Sequence, residues 1–229
     1  MAKTAILVDG VFYRKKFEKG CVHTPQEAAD ALMRYCYRHL KERHMEHELY
    51  RIFYYDCPPC EKKVFHPLYN RTFDLSKSEH HKWMTEFLSE LTKKRKVALR
   101  LGRVDDTSAA YVLKRTATKE IVTKKRALED LSDSDFEISI KQKGVDMKIG
   151  MDIASLAYKQ QVEQIVLIAG DADFVPAAKL ARREGIDIVL DPLSAPIKED
   201  LFIHIDGKRS CGNPYKQDKN TEDTSPFKI

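Results

Sequence analysis

The chain has 229 residues and 42% hydrophobic content, enough for one well-buried core and slightly long for a minimal domain, so a single domain carrying insertions is the expectation. No run of about 18 apolar residues occurs, and the first residues lead straight into Thr4–Val8 without a charged-then-apolar leader, so no membrane is expected and the location is expected to be cytoplasmic. The net charge of +5, from 40 basic and 35 acidic residues, is modest for a nucleic-acid binder, and the five cysteines (21, 36, 57, 60 and 211) form an odd, irregular set expected to stay reduced.

Taken in chain order, Thr4–Val8 is a short apolar run that reads as a central strand, closed by the turn chemistry of Asp9-Gly10. Thr24 and Pro25 then have the form of an N-cap and first helical residue, and Ala28, Ala29, Leu32, Tyr35, Cys36 and Leu40 follow at helical spacing. Glu48–Tyr55 alternates as a strand, and Cys57-Pro-Pro-Cys60 reads as a proline-stiffened turn. Ser76 or Ser78 caps a helix running through Leu91, and Val97–Val104 reads as a strand carrying cations. Residues 105–140 break the rhythm as an inserted strand pair or loop subdomain. From Lys143 a helix runs to about Gln160, followed by a strand Gln164–Ala169, a helix beginning near Asp173, a strand Ile186–Leu190, and a short edge element around Leu201–Ile205. Nearly continuous apolar strands joined by helices indicate a parallel sheet covered on both faces. The expected fold is therefore α/β, with one domain over 1–205 and a polar tail over 206–229 that is mobile or wrapped on the surface.

Acids fall where a parallel sheet delivers chemistry, beyond the carboxyl ends of its strands: Asp9 after the first strand, Asp171 and Asp173 in Gly170-Asp-Ala-Asp-Phe174. Each alone also reads as a turn or capping residue. Together they are costly unless a cation neutralises them, and Mg²⁺ or Mn²⁺ favours such oxygen ligands. Asp146 enters the first turn of the helix after Lys143, whereas Asp152, about 9 Å further along and about 240° around it, sits beside the apolar stripe as a supporting acid. Neither a phosphate-binding Gly-rich loop ending in Lys-Ser or Lys-Thr nor a GxGxxG is present. Many cations lie in Lys93–Lys96, Arg100, Arg103 and Lys114–Arg126; a solvated surface explains such runs as readily as phosphate binding does.

The strings Ile6-Leu-Val-Asp-Gly10, Phe53-Tyr-Tyr-Asp-Cys-Pro-Pro59, Lys143-Gly-Val-Asp146 with Asp152, and Gly170-Asp-Ala-Asp-Phe-Val-Pro176, in that order, resemble the NYN domain, and especially its LabA-like branch, within the PIN-like ribonucleases. The resemblance implies a three-layer α/β/α, Rossmann-like sandwich. It also implies metal-dependent endoribonuclease activity, with Asp9, Asp146, Asp171 and Asp173 as catalytic and metal-binding residues, Asp152 behind them, Mg²⁺ or Mn²⁺ as cofactor, and Lys143 and Arg103 as phosphate contacts. RNA is the implied partner; single-stranded DNA and self-association into a homo-oligomer stay open. Many NYN members carry Asn where this chain has Phe12, and often Ser where it has Ala169. These departures motivate an alternative of another class, a catalytically degenerate module that binds RNA or a protein partner. A third reading, a phosphohydrolase of small nucleotides, is separated by its substrate.

Overall fold

The computed structural model describes residues 1–19, 22–42 and 45–216. In chain order the elements are β1 (Lys3–Asp9), α1 (Gly10–Phe17), α2 (Pro25–Arg38), β2 (Lys41–Glu42), β3 (Met45–Glu46), β4 (Glu48–Asp56), β5 (Lys63–His66), β6 (Arg71–Asp74), α3 (Glu79–Thr92), β7 (Val97–Leu101), β8 (Arg103–Leu113), α4 (Arg115–Val122), β9 (Phe136–Lys143), α5 (Val145–Tyr158), β10 (Gln164–Ile168), α6 (Val175–Arg183), β11 (Asp187–Asp191), α7 (Glu199–Phe202) and β12 (Gly207–Lys208). Six of the strands form one sheet in the order β12-β11-β10-β1-β4-β7, and every pairing in it is parallel.

The period of two along β1 builds the sandwich. Ala5 and Leu7 face a core shared with Ile149, Ile153 and Leu156 of α5 and Ala178 of α6, whereas Ile6 and Val8 face Leu32 and Tyr35 of α2 and Phe87 and Leu91 of α3. Both faces of the sheet are thus covered, which is why its central strands are apolar without alternation. At the start of α2 the sequence signals act as read: Thr24 accepts a hydrogen bond from the Glu27 N–H, the Glu27 carboxylate accepts from the Thr24 N–H, and Pro25 needs no partner there.

Three local expectations are corrected. Asp9-Gly10 does not open a turn between separate elements; Asp9 caps α1 directly, accepting from the Phe12 N–H at 3.1 Å. The strand expected over Val97–Val104 breaks at Gly102, because the chain must pass so close to the Lys143 carbonyl that a Cβ there would lie 2.6 Å from it. Beyond Gly102, β8 leaves the sheet and pairs antiparallel with β9. The edge element expected over Leu201–Ile205 is instead the helical turn α7, and the edge pairing falls to Gly207–Lys208, held in register by Asp206, whose N–H donates to the Ile188 carbonyl and whose carboxylate accepts from the Ile188 N–H. The helix expected near Asp173 is present and only its first turn differs: a 3-10 turn over Ala172–Phe174, capped by Asp171, runs into α6 at Val175.

The stretch expected as an insertion forms a ribbon, β8–β9, with α4 at its far end, and a second hairpin, β5–β6, packs against it around Cys60, Val64, Leu75 and Ala109. The chain after residue 206 is wrapped on the domain up to residue 216: Arg209 donates to the Arg38 and His39 carbonyls, and Ser210 Oγ donates to Asp191. The remainder of the expected tail, 217–229, lies outside the described residues. Cys36, Cys57, Cys60 and Cys211 are free thiols, whereas Cys21 lies outside the described residues.

Candidate functional site

The strand order reverses between β1 and β10: from β1 the chain proceeds outward through β4 and β7, and from β10 through β11 and β12 in the opposite direction. Helices leaving these two strands pack on opposite faces of the sheet, which makes this the switch point whose crevice receives the ligand in doubly wound sheets. Asp9 ends β1 on one side of this crevice. Asp171 stands beyond β10 on the other, its carboxylate accepting from the Asp173 N–H at 3.2 Å. Asp146, exposed in the first turn of α5, is the third corner.

The strand ends and the first turn of α5 that carry these acids form an acidic mouth in which their charges bear on one another. The Asp9 carboxyl is pushed above the usual carboxylate range by burial first, with the Asp146 and Asp56 charges adding to it and the Phe12 N–H opposing. Asp146 is also raised, by burial and then by Asp171 and Asp173. Among the described residues, however, no group of three or more His, Cys, Asp or Glu side chains converges closely enough to hold a metal ion. The donor type suits Mg²⁺ or Mn²⁺, while the spacing of the donors does not gather a coordination shell.

The Phe12 ring lies against Gly170, next to the strand ends that carry Asp9 and Asp171. A Cβ on Gly170 would come within 2.6 Å of the ring, so only glycine admits the aromatic at this place. Asp152 is on another face of α5 and does not join the mouth; it accepts from the Tyr55 hydroxyl at 2.8 Å and from Arg100 Nε at 2.9 Å. Arg103 and Lys143 form the rung at the base of the β8–β9 ribbon, and Gly144, at φ +82°, swings the chain from Lys143 into α5 and Asp146. Arg103 is exposed, whereas the Lys143 ammonium is paired with Asp105 at 2.6 Å, which holds the Asp105 carboxyl down at about 2.

Two further acids end strands, and the sequence reading passed over both. Asp56, at the end of β4, is fully buried and held by Arg14 through Nε at 3.0 Å and Nη2 at 2.8 Å, with the Tyr54 hydroxyl at 3.0 Å and the Cys57 N–H at 2.8 Å. Gly10 is pressed against this group, leaving no room for a Cβ beside Asp56 Oδ2. Asp191 ends β11 and is saturated by the Tyr35 hydroxyl, His39 Nε2, Ser210 Oγ and the Leu193 N–H, so it ties the C-terminal segment to α2. Both were within reach of the strand-end logic that picked out Asp9; what the sequence does not show is that Arg14 and His39 come to meet them.

With this geometry in place, the NYN domain family profile matches residues 76–205. The chain belongs to the NYN domain family. The matched span carries Asp146, Asp152, Asp171 and Asp173 and leaves Asp9, Asp56 and the β5–β6 hairpin outside it. No curated protein matches the chain. Among solved structures, this NYN protein is similar to a protein of unknown function from Vibrio parahaemolyticus RIMD 2210633, at 14% identity and a TM-score of 0.44, over 93% of this chain and 94% of the other. Among the described residues no helix is long and apolar enough to cross a membrane.

Proposed function

We propose that this NYN protein binds RNA across the carboxyl edge of its sheet without turning it over. The observation that carries the reading is Phe12, whose partly buried ring lies against Gly170, next to the strand ends that carry Asp9 and Asp171. An aromatic ring there offers a base a face to stack on and offers an ion no ligand. The spacing of the carboxylates agrees, since no three of them converge among the described residues. Asp56 and Asp152, the acids that would extend the cluster, are each neutralised by an arginine. NYN domains generally engage nucleic acid. Arg103 and Lys143, beside Asp146, provide cations for the phosphate backbone, and the Asp105 partner of Lys143 tempers that charge.

One observation favours a second reading, metal-dependent endoribonuclease activity: the charges of Asp171 and Asp173 raise the Asp146 carboxyl and that of Asp146 raises Asp9, the self-repulsion a divalent cation relieves. In that reading Asp9, Asp146, Asp171 and Asp173 would hold Mg²⁺ or Mn²⁺, which would supply Lewis-acid chemistry at the phosphate. The protein's own groups would do the rest: Arg103 and Lys143 would position the backbone, and Arg100 with Tyr55 holds Asp152 on its own face of α5.

Binding and cleavage of one labelled single-stranded RNA, each measured with Mn²⁺, with Mg²⁺ and with EDTA, decide between them. The binding reading expects RNA to be retained intact with either metal, and Asp171→Asn to tighten binding in EDTA by removing a charge that repels phosphate. Metal-dependent cleavage that Asp171→Asn abolishes would establish the second reading. The same experiment with single-stranded DNA tests the polymer preference.

A further inference from the structure

The β5–β6 hairpin lies outside the matched NYN span, and neither the acidic mouth nor the sheet explains its composition. Its inward face carries Val64, His66, Arg71 and Phe73, because Val64 pairs with Phe73 and His66 with Arg71 across the hairpin. The His66 ring sits among four aromatic rings, with centroids at 4.8 Å from Tyr69, 5.8 Å from Phe73, 4.1 Å from Tyr111 and 5.0 Å from Phe136. Tyr111 and Phe136 belong to β8 and β9, so this cluster joins the hairpin and the ribbon into one arm. Tyr69 is half exposed at 48%, and the Arg71 guanidinium lies over Phe73 at 4.4 Å and Tyr69 at 5.4 Å. No carboxylate pairs with Arg71 among the described residues. The arm therefore presents aromatic faces and a planar cation held over them.

The arm is rooted at the acidic mouth. The hairpin leaves the sheet directly after Asp56, and the base rung of the ribbon, Arg103 with Lys143, leads through Gly144 into Asp146. We infer that Tyr69 and Arg71 form a stacking platform for the bases of a single-stranded RNA whose backbone passes the acidic mouth. The inference rests on the RNA-binding reading and adds to it a second contact, on the arm, that grips bases rather than phosphates. Aromatic faces receive any base through its π-face, and a stacked arginine adds cation–π attraction, so the platform is tolerant of sequence. The charge fits this occupant as well: Asp133 lies against His66 at 3.3 Å, and Arg71, with no carboxylate partner among the described residues, is left to complement a polyanion carrying planar bases.

The test uses the full chain in EDTA and two fluorescein-labelled probes, a uridine-rich single-stranded RNA and an abasic ribose-phosphate strand of the same length, with binding read by anisotropy. Tyr69→Ala and Arg71→Ala are each expected to weaken RNA binding about tenfold, the range of one lost base stack. Tyr69→Trp should keep the affinity. The abasic strand should bind wild-type protein and Tyr69→Ala alike, because it has no bases to stack. Phe65→Ser is the internal control: Phe65 is 52% exposed but points to the opposite face of the hairpin, and its loss should leave RNA binding unchanged. Thermal unfolding confirms that each variant is folded. If Tyr69→Ala binds RNA as well as wild type, or loses RNA and abasic strand equally, the platform is overturned while RNA binding by the domain stands. Equal losses in Phe65→Ser and Tyr69→Ala overturn it too. Wild-type protein that binds neither probe would overturn the RNA-binding reading and the platform together, and would direct the exposed rings of the arm toward a protein partner.

Discussion

Arg14→Met removes a buried cation while keeping most of the apolar stem, and so isolates the charge that Arg14 gives to Asp56. The Asp56 side chain is 0% exposed and that of Arg14 is 15% exposed, with two guanidinium nitrogens within 3.0 Å of the carboxylate. Breaking such a pair by deleting one partner typically costs about 3–5 kcal/mol, since the remaining charge is left buried. Asp56 keeps the Tyr54 hydroxyl and the Cys57 N–H, so the low end, about 3 kcal/mol, is expected. For a domain of this size that corresponds to a fall in Tm of about 6–12 °C. The double variant Arg14→Met with Asp56→Asn removes both charges and should regain about 2 kcal/mol relative to Arg14→Met alone. Urea unfolding of wild type, both single variants and the double variant gives the cycle. An Arg14→Met protein within about 1 kcal/mol of wild type, or a double variant no more stable than Arg14→Met, would refute the reasoning, because Asp56 could not then be an anion that depends on Arg14.

Gly170→Ala should cost about 1–3 kcal/mol by forcing the Phe12 ring to move, and pairing it with Phe12→Ala should recover most of that loss in urea unfolding; equal costs in both backgrounds would mean that the ring is not the obstacle. The Asp9 carboxyl is raised above its ordinary value, so the unfolded chain loses its proton first as pH rises, and the metal-free fold loses stability between the ordinary carboxylate pKa and the raised one. Asp9→Asn, which can still cap α1, should therefore be more stable than wild type at pH ~7, with the gain shrinking as pH falls toward ~4. Melting curves in EDTA at both pH values check this, and a gain independent of pH would count against it.

What the sequence determined by itself was whatever local chemistry and periodicity encode. The apolar runs at Thr4–Val8 and Gln164–Ala169, the Thr24-Pro25 cap and the helix expected from Lys143 indicate an α/β chain with a parallel sheet, and the acids beyond those strands mark the end of the sheet that matters. Only the tertiary structure decided what those acids meet. The bidentate grip of Arg14 on Asp56 spans 42 residues and the bond from Arg100 to Asp152 spans 52, and no spacing rule connects such positions. The same holds for Phe12 on Gly170, where an aromatic and a glycine far apart in the chain become neighbours because β1 and β10 pair at the switch point. The β5–β6 hairpin escaped the sequence reading because its strands of four residues are too short to show a period. Its aromatic cluster with β8 and β9 exists only once the two hairpins pack, since stacking of rings depends on distance and orientation, which the order of residues along the chain does not carry.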